Sequence, residues 1–315
     1  MPVWLQLTAA VSSALISGLM GIALIPFLEK YHLHTPDLAS QQSEIRQKPA
    51  MCGILLIFGC LAGLMLSYAL YLQFSGTDRT SLAFQTNGRT LWLMIIYSLL
   101  LGIAGGIADY SIIRKKFLLH VPEAGQLLAI FLISCALLRL LPEESILDFK
   151  YFKFNAGALS VPIRALMLAV SWKIMQKPEQ TTDGISITLS SIELLFLTTL
   201  LISANQNLYA LSSLSAAGAC LGCFIWNLPP AKCRLGHIGS SWLGSILPML
   251  CLLCGNLQIL FLCMAVYLLN LLPWPKEKKT LLHLMQEADT PPLQRIALLA
   301  GFTLFCCLPA ILPEY

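Results

Sequence analysis

The stretch NLPPAKCRLGHIGSSWLG, residues 227–244, lies between two apolar runs. It holds two prolines, Lys232, Arg234, His237 and the glycines Gly236, Gly239 and Gly244. Its reading depends on what its flanks are. Of the 315 residues, 57% are hydrophobic and only 11% are charged, and the mean hydropathy is +0.74. Apolar runs of about 18 residues or more recur along the whole chain, and each is long enough to cross a bilayer as a helix. The flanks are therefore spans, and 227–240 is a loop at a membrane face.

Working outward from that loop, hydropathy predicts an all-α polytopic membrane protein with about ten transmembrane helices in one bundle, a single domain over 1–315. The spans are placed near 3–28, 50–73, 91–113, 123–141, 157–176, 184–204, 208–226, 241–256, 258–274 and 295–312. The eighth and ninth come from one long apolar stretch broken near Gly255 and Asn256. No Lys or Arg precedes the first apolar run, so it reads as a retained span rather than a cleaved signal. Most of the eleven Cys lie in apolar runs, where Cys behaves as a small hydrophobe, and no disulfide framework is expected. Cys220 and Cys223 form a CxxC pair inside a span, with no second pair to complete a metal site. Cys233 is the loop cysteine.

Basic residues orient the bundle. Fourteen of the twenty Lys and Arg fall in the odd-numbered loops or at their span ends, and five in the even-numbered loops. The twentieth, Arg164, is the clear charge well inside a predicted span. The bias places the odd loops in the cytoplasm and both termini outside. A channel or carrier more often places its polar groups at mid-membrane. Here polar groups gather at the inner interface, which suits chemistry on a lipid headgroup with a soluble co-substrate. Nothing in the chain suggests a nucleic-acid partner.

Five short segments then resemble a known family in order. PAMCG (49–53) resembles a PTMGG motif. GIADYSIIRKK (106–116) resembles GFLDDYIKVVKK, with Gln126 following. TDG (182–184) resembles NLTDGLDGLA. The opening stretch resembles FN..PA.VFMGD.GS...G. LLHLMQE (281–287) resembles PLHHHFE, followed by Pro292 and Arg295. The chain thus resembles the polyprenyl-phosphate N-acetylhexosamine-1-phosphate transferases, and among them the phospho-N-acetylmuramoyl-pentapeptide transferase (MraY) family.

The resemblance implies ten spans with cytoplasmic motif loops in the plasma membrane. It implies transfer of a phospho-sugar from a UDP-activated amino sugar to undecaprenyl phosphate, the lipid I-type step of cell-wall synthesis, with Mg²⁺. It implies Asp109, Asp183, His237 and His283 as catalytic positions, and Asp109 and Asp183 as metal ligands. Asn227, Gly236, Gly239, Ser240, Gln126, Lys115 and Lys116 are implied as substrate contacts, and a homodimer is one assembly it allows.

The chain also departs from the family pattern. Ala108 replaces the first Asp of a pair, Ile112 a Lys, Ser186 and His237 an Asp each, Gln180 an Asn, and Leu284 and Met285 two His. Mg²⁺ takes hard oxygen ligands. An imidazole suits softer ions, Mn²⁺ or Zn²⁺, or contacts phosphate when protonated. Each lost charge-neutralising contact costs about 10²–10³ in rate. The site is therefore expected to be degenerate, with weak or no Mg²⁺-dependent transfer. The alternative is an inactive relative that binds a polyprenyl carrier or assists an active paralogue.

Plainer roles stand beside these. Asp109 could hydrogen-bond a loop, and Asp183 could cap the sixth span. His237 could be a loop residue without a duty. His283 and Glu287, four apart, could form a solvated helix face. Arg114, Lys115 and Lys116 read as a topology signal and headgroup contact.

Overall fold

The computed structural model describes residues 1–33, 48–74, 81–114, 122–142, 146–149, 152–177, 182–271 and 280–311. The described elements are helices α1 (Val3–Lys30), α2 (Gly53–Phe74), α3 (Leu82–Ile113) and α4 (Glu123–Leu140), then strands β1 (Ile146–Phe149) and β2 (Phe152–Asn155). Helices α5 (Ser160–Met175), α6 (Ile185–Ser203), α7 (Asn207–Asn227), α8 (Gly236–Leu253), α9 (Leu257–Leu271), α10 (Leu281–Glu287) and α11 (Pro292–Ile311) follow. Among the described residues, nine helices are long and apolar enough to cross a membrane. Ten spans were expected. The ninth, α9, has only 15 residues. At 1.5 Å per residue it rises about 22 Å, less than the roughly 30 Å of hydrocarbon.

The break before α9 falls where the sequence places it. Gly255 takes a positive φ of 80°, and the Asn256 side chain accepts a hydrogen bond from the Gln258 N–H at 2.9 Å. Two boundaries differ from expectation. Helix α3 begins at Leu82 because Ser81 caps it, its hydroxyl accepting from the Phe84 N–H. Helix α8 begins at Gly236, five residues before the predicted 241, so His237 lies in a helical first turn and not in a loop.

Helices α7 and α8 form the buried centre, and α1, α4 and α11 show most of their surface to lipid. The α1–α2–α7 seam is lined by small residues, including Ser13 and Ser17 of α1 and Gly59 and Gly63 of α2. A Cβ on Gly222 of α7 would run into the Ala14 carbonyl of α1. Small residues let backbones approach where lipid supplies no hydrophobic drive between helices. Trp226 closes the seam, its Nε1 donating to the Gly18 carbonyl at 2.9 Å.

Two features correct the expected composition of the bundle. Strands β1 and β2 make an antiparallel hairpin, with Asp148 paired to Lys153 across it at 2.8 Å. The hydrogen bond and negative charge of Asp148 raise the Lys153 ammonium above the usual lysine range. Phe149 stacks on Phe261 of α9 at 6.2 Å. In addition, Arg164 is not the only charged residue type within a span. Glu193 of α6 is fully buried, its Oε2 accepting from the Tyr267 hydroxyl at 3.3 Å, while its Oε1 has no partner among the described residues.

Candidate functional site

The polar residues gather at one end of the bundle, where α3, α5, α7 and α9 finish and α2, α4, α6, α8 and α11 start. The 227–235 segment folds on itself there. The Lys232 and Cys233 N–H groups donate to the Trp226 carbonyl, and Asn227 Nδ2 donates to the Cys233 carbonyl at 3.0 Å. Asn227 is thus a brace of this segment, not a group turned outward. The segment also pairs with 49–53. Arg234 N–H donates to the Pro49 carbonyl, Cys52 N–H to that of Arg234, and Gly53 N–H to that of Leu235. A disulfide joins Cys52 and Cys233, against the expectation that none would form. The partners are 181 residues apart, a pairing that spacing alone does not reveal.

Helix α8 enters this end against the last turns of α3. Gly236 opens it with a φ of 75°, where a side chain would be strained. A Cβ there would also lie 2.6 Å from Asp109 Oδ2. Asp109 is completely buried. Its Oδ1 accepts from the His237 N–H at 2.9 Å and its Oδ2 from the Ile238 N–H at 3.0 Å. A carboxylate on the first amides of a helix satisfies unpaired donors and complements the helix dipole. This is the plainer role in a specific form: Asp109 caps α8 from another helix.

Asp183 does not cap α6. Gly184 holds the N-cap position in a left-handed conformation, and no side chain caps that helix. The Asp183 carboxylate turns instead to two cations, Lys48 Nζ at 2.8 Å from Oδ2 and Arg234 Nε at 3.2 Å from Oδ1. Arg234 stands two residues before Gly236, so Asp183 and Asp109 grip the same short segment, 234–238. Asp109, Asp183 and the start of α8 with His237 therefore meet at one segment, Asp109 through the His237 and Ile238 amides and Asp183 through Arg234. Arg295 of α11 ties in Thr182, its Nη1 donating to that hydroxyl at 3.2 Å.

Other expected positions have local partners. Ser240 Oγ bonds within its own helix, to the Gly236 carbonyl at 3.1 Å, and Gly239 packs on Gly53. His283 is exposed on α10, where Nδ1 shares a hydrogen bond with Thr280. Its hydrogen-bond partner is thus on its own helix start, not in the Asp109 cluster. Lys115, Lys116 and Gln180 lie outside the described residues.

Beside the cluster, a cavity of about 590 Å³ runs between α3, α4, α5 and α8. Leu101, Ile130, Ile133 and Trp172 line its apolar part, and Gln126, Lys173, Lys177 and His237 its polar part. Lys173 is paired with Glu123 of α4 at 3.4 Å, and Gln176 Nε2 ties α5 to α8 through Ser241 Oγ at 2.9 Å. Sequence reasoning passed over Lys48, Lys173, Gln176 and Arg234 as site groups. Their signal was that each stands at a span end next to a motif, but basic residues there also set topology.

The model of glycosyl transferase family 4 matches residues 91–255, just over half of the chain. The chain belongs to glycosyl transferase family 4. The matched region holds Asp109, Asp183 and His237, and stops short of Lys48 and His283. Similar proteins named phospho-N-acetylmuramoyl-pentapeptide-transferase come from three bacteria. The Picosynechococcus protein is 25% identical over 282 residues, covering 85% of this chain and 69% of the relative. The Chlorobium chlorochromatii protein is 26% identical over 293 residues, covering 83% and 74%. The Prochlorococcus marinus protein is 28% identical over 185 residues, covering 55% and 47%.

As a member of glycosyl transferase family 4, the chain invites a test of its acids against Mg²⁺. They do not fit. All four carboxylate oxygens of Asp109 and Asp183 are already engaged, two by backbone amides and two by cations. No group of three or more His, Cys, Asp or Glu among the described residues is arranged to hold a metal. An ion placed there would have to displace Lys48 and Arg234 from Asp183 or the α8 amides from Asp109.

Proposed function

We propose that the chain binds a polyprenyl phosphate in the cavity between α3, α4, α5 and α8, at the cytoplasmic face of the plasma membrane. In this reading the phospho-sugar transfer typical of its family is impaired. One observation carries it: the cavity has apolar walls over most of its length and Lys173, Lys177, Gln126 and His237 at one end, where Glu123 offsets one of the two lysines. Its volume falls in the roughly 300–1,000 Å³ range of small-molecule sites. A prenyl chain would lie along Leu101, Ile130 and Ile133, with the phosphate at the lysines. There Lys177 meets it as a point charge, and the partly buried Lys173 exchanges Glu123 for it.

The test is titration of the purified protein with farnesyl phosphate and with farnesol, read by the change in its tryptophan fluorescence. The phosphate should bind at least about tenfold tighter, a difference of roughly 1.4 kcal/mol. Lys177→Ala should remove most of that difference. Equal affinity for the two ligands, or binding of neither, rules the reading out.

A second reading, transfer from a UDP-activated amino sugar to undecaprenyl phosphate, is favoured by the position of His237. It lines the lipid cavity while its backbone joins the Asp109 cluster. Radiolabelled UDP-MurNAc-pentapeptide with undecaprenyl phosphate would give lipid-linked product at a rate typical of relatives if this reading holds. Loss of two charge contacts instead implies a rate lower by about 10⁴ or more.

A further inference from the structure

Lys48, Asp109, Asp183 and Arg234 come from four separate segments; the two cations neutralise Asp183, and the first amides of α8 hold Asp109. Each oxygen of Asp183 faces a cation, Lys48 at 2.8 Å and Arg234 at 3.2 Å. Each oxygen of Asp109 faces a helix-terminal N–H. Arg234 is not a swinging arm at its backbone. Its N–H donates to the Pro49 carbonyl and its own carbonyl accepts from the Cys52 N–H. The same pairing anchors Lys48, which immediately precedes Pro49. Asp183 thus meets two cations and Asp109 the positive end of α8, so each acid already has its partners without a divalent ion. The side chains of Lys48, Asp183 and Arg234 keep 34%, 14% and 23% of their exposure, so the acid is mostly buried while its two cations stay partly open to water.

We infer that Lys48 and Arg234 stand in this chain where a divalent cation would otherwise balance the two acids, so the centre is complete without metal. The chain would then hold neither Mg²⁺ nor Mn²⁺ at Asp109 and Asp183. This goes beyond the lipid-binding reading and does not depend on it.

The test uses the full chain in nanodiscs of zwitterionic lipid and reads free Mn²⁺ by its paramagnetic resonance signal. Wild type should leave the signal undiminished up to about 1 mM Mn²⁺, a binding free energy weaker than roughly −4 kcal/mol. Lys48→Met with Arg234→Met, which keeps side-chain bulk and removes both charges, should bind Mn²⁺ at least about tenfold tighter than wild type. Stoichiometric Mn²⁺ binding by wild type, abolished by Asp183→Asn, overturns the inference. So does a folded double variant without gain, because the cations would then not be what keeps the ion out. If the double variant does not fold, the wild-type titration decides alone. No isoprenyl phosphate enters the experiment, so its outcome leaves the lipid cavity untouched.

Discussion

Asp109 and Asp183 carry the same side chain into opposite surroundings. Asp109 has no exposure and both oxygens on backbone amides, so Asp109→Asn turns one acceptor into a donor aimed at a buried N–H. Its expected cost is about 2–3 kcal/mol. Asp183 pairs with two partly exposed cations, which water screens, and Asp183→Asn should cost only about 1 kcal/mol or less. Thermal unfolding of the two variants in detergent should rank them in that order, and the reverse order would place the structural burden on Asp183. Gly236 offers a second comparison. Gly236→Ala adds a methyl group at a positive φ against Asp109, an expected loss of about 1–2 kcal/mol, whereas Gly301→Ala in α11 meets open space and should be neutral or gain about 0.5 kcal/mol. At this scale the sequence singles out Asp109, Asp183, His237 and His283; the first is bonded to the His237 amide, Asp183 meets Lys48 and Arg234, and His283 pairs with Thr280. It cannot supply their partners, because the hydrogen bonds of Asp109 cross 128 and 129 residues and the Lys48–Asp183 pair crosses 135. Lys48 and Arg234 also carry a charge that topology alone would explain, which hides their second use.

Helices were legible because apolar length is a strong signal, and so was the α8–α9 break, where Gly255 and Asn256 interrupt the run. The hairpin was not, since four-residue strands such as ILDF and FKFN leave too short a period to read. Nor was Glu193, a single acid in an apolar run whose partner Tyr267 lies on α9. Packing between elements makes a sharp prediction at the α1–α7 seam. Gly222→Val would drive a branched side chain into the α1 backbone at Ala14. It should cost about 3 kcal/mol or more, seen as a sharp loss of folded protein on size exclusion. Ile225→Val, exposed to lipid on the same helix, should leave the yield unchanged.

Across the whole molecule, the site end and the hairpin end lie at opposite ends of the helices. The fourteen-to-five division of basic residues predicts that the site end faces the cytoplasm. Reporter fusions after residue 120 and after residue 235 should both read cytoplasmic, and one within the hairpin after residue 150 should read external. Two external readings from the first pair would invert the bundle.

The pairing of 49–53 with 233–235, and the cap that Asp109 gives α8, also set an order of events at the ribosome. The nascent chain delivers Asp109 to the membrane 128 residues before the first amide that will hold it. At roughly 5–20 residues per second, several seconds separate the two. Until α8 arrives, the insertion machinery handles a helix end with a bare carboxylate and a first loop with no partner strand. A transcript cut before codon 236 would therefore encode seven recognisable spans with an unfinished site end, a natural mark for membrane proteases to read as incomplete.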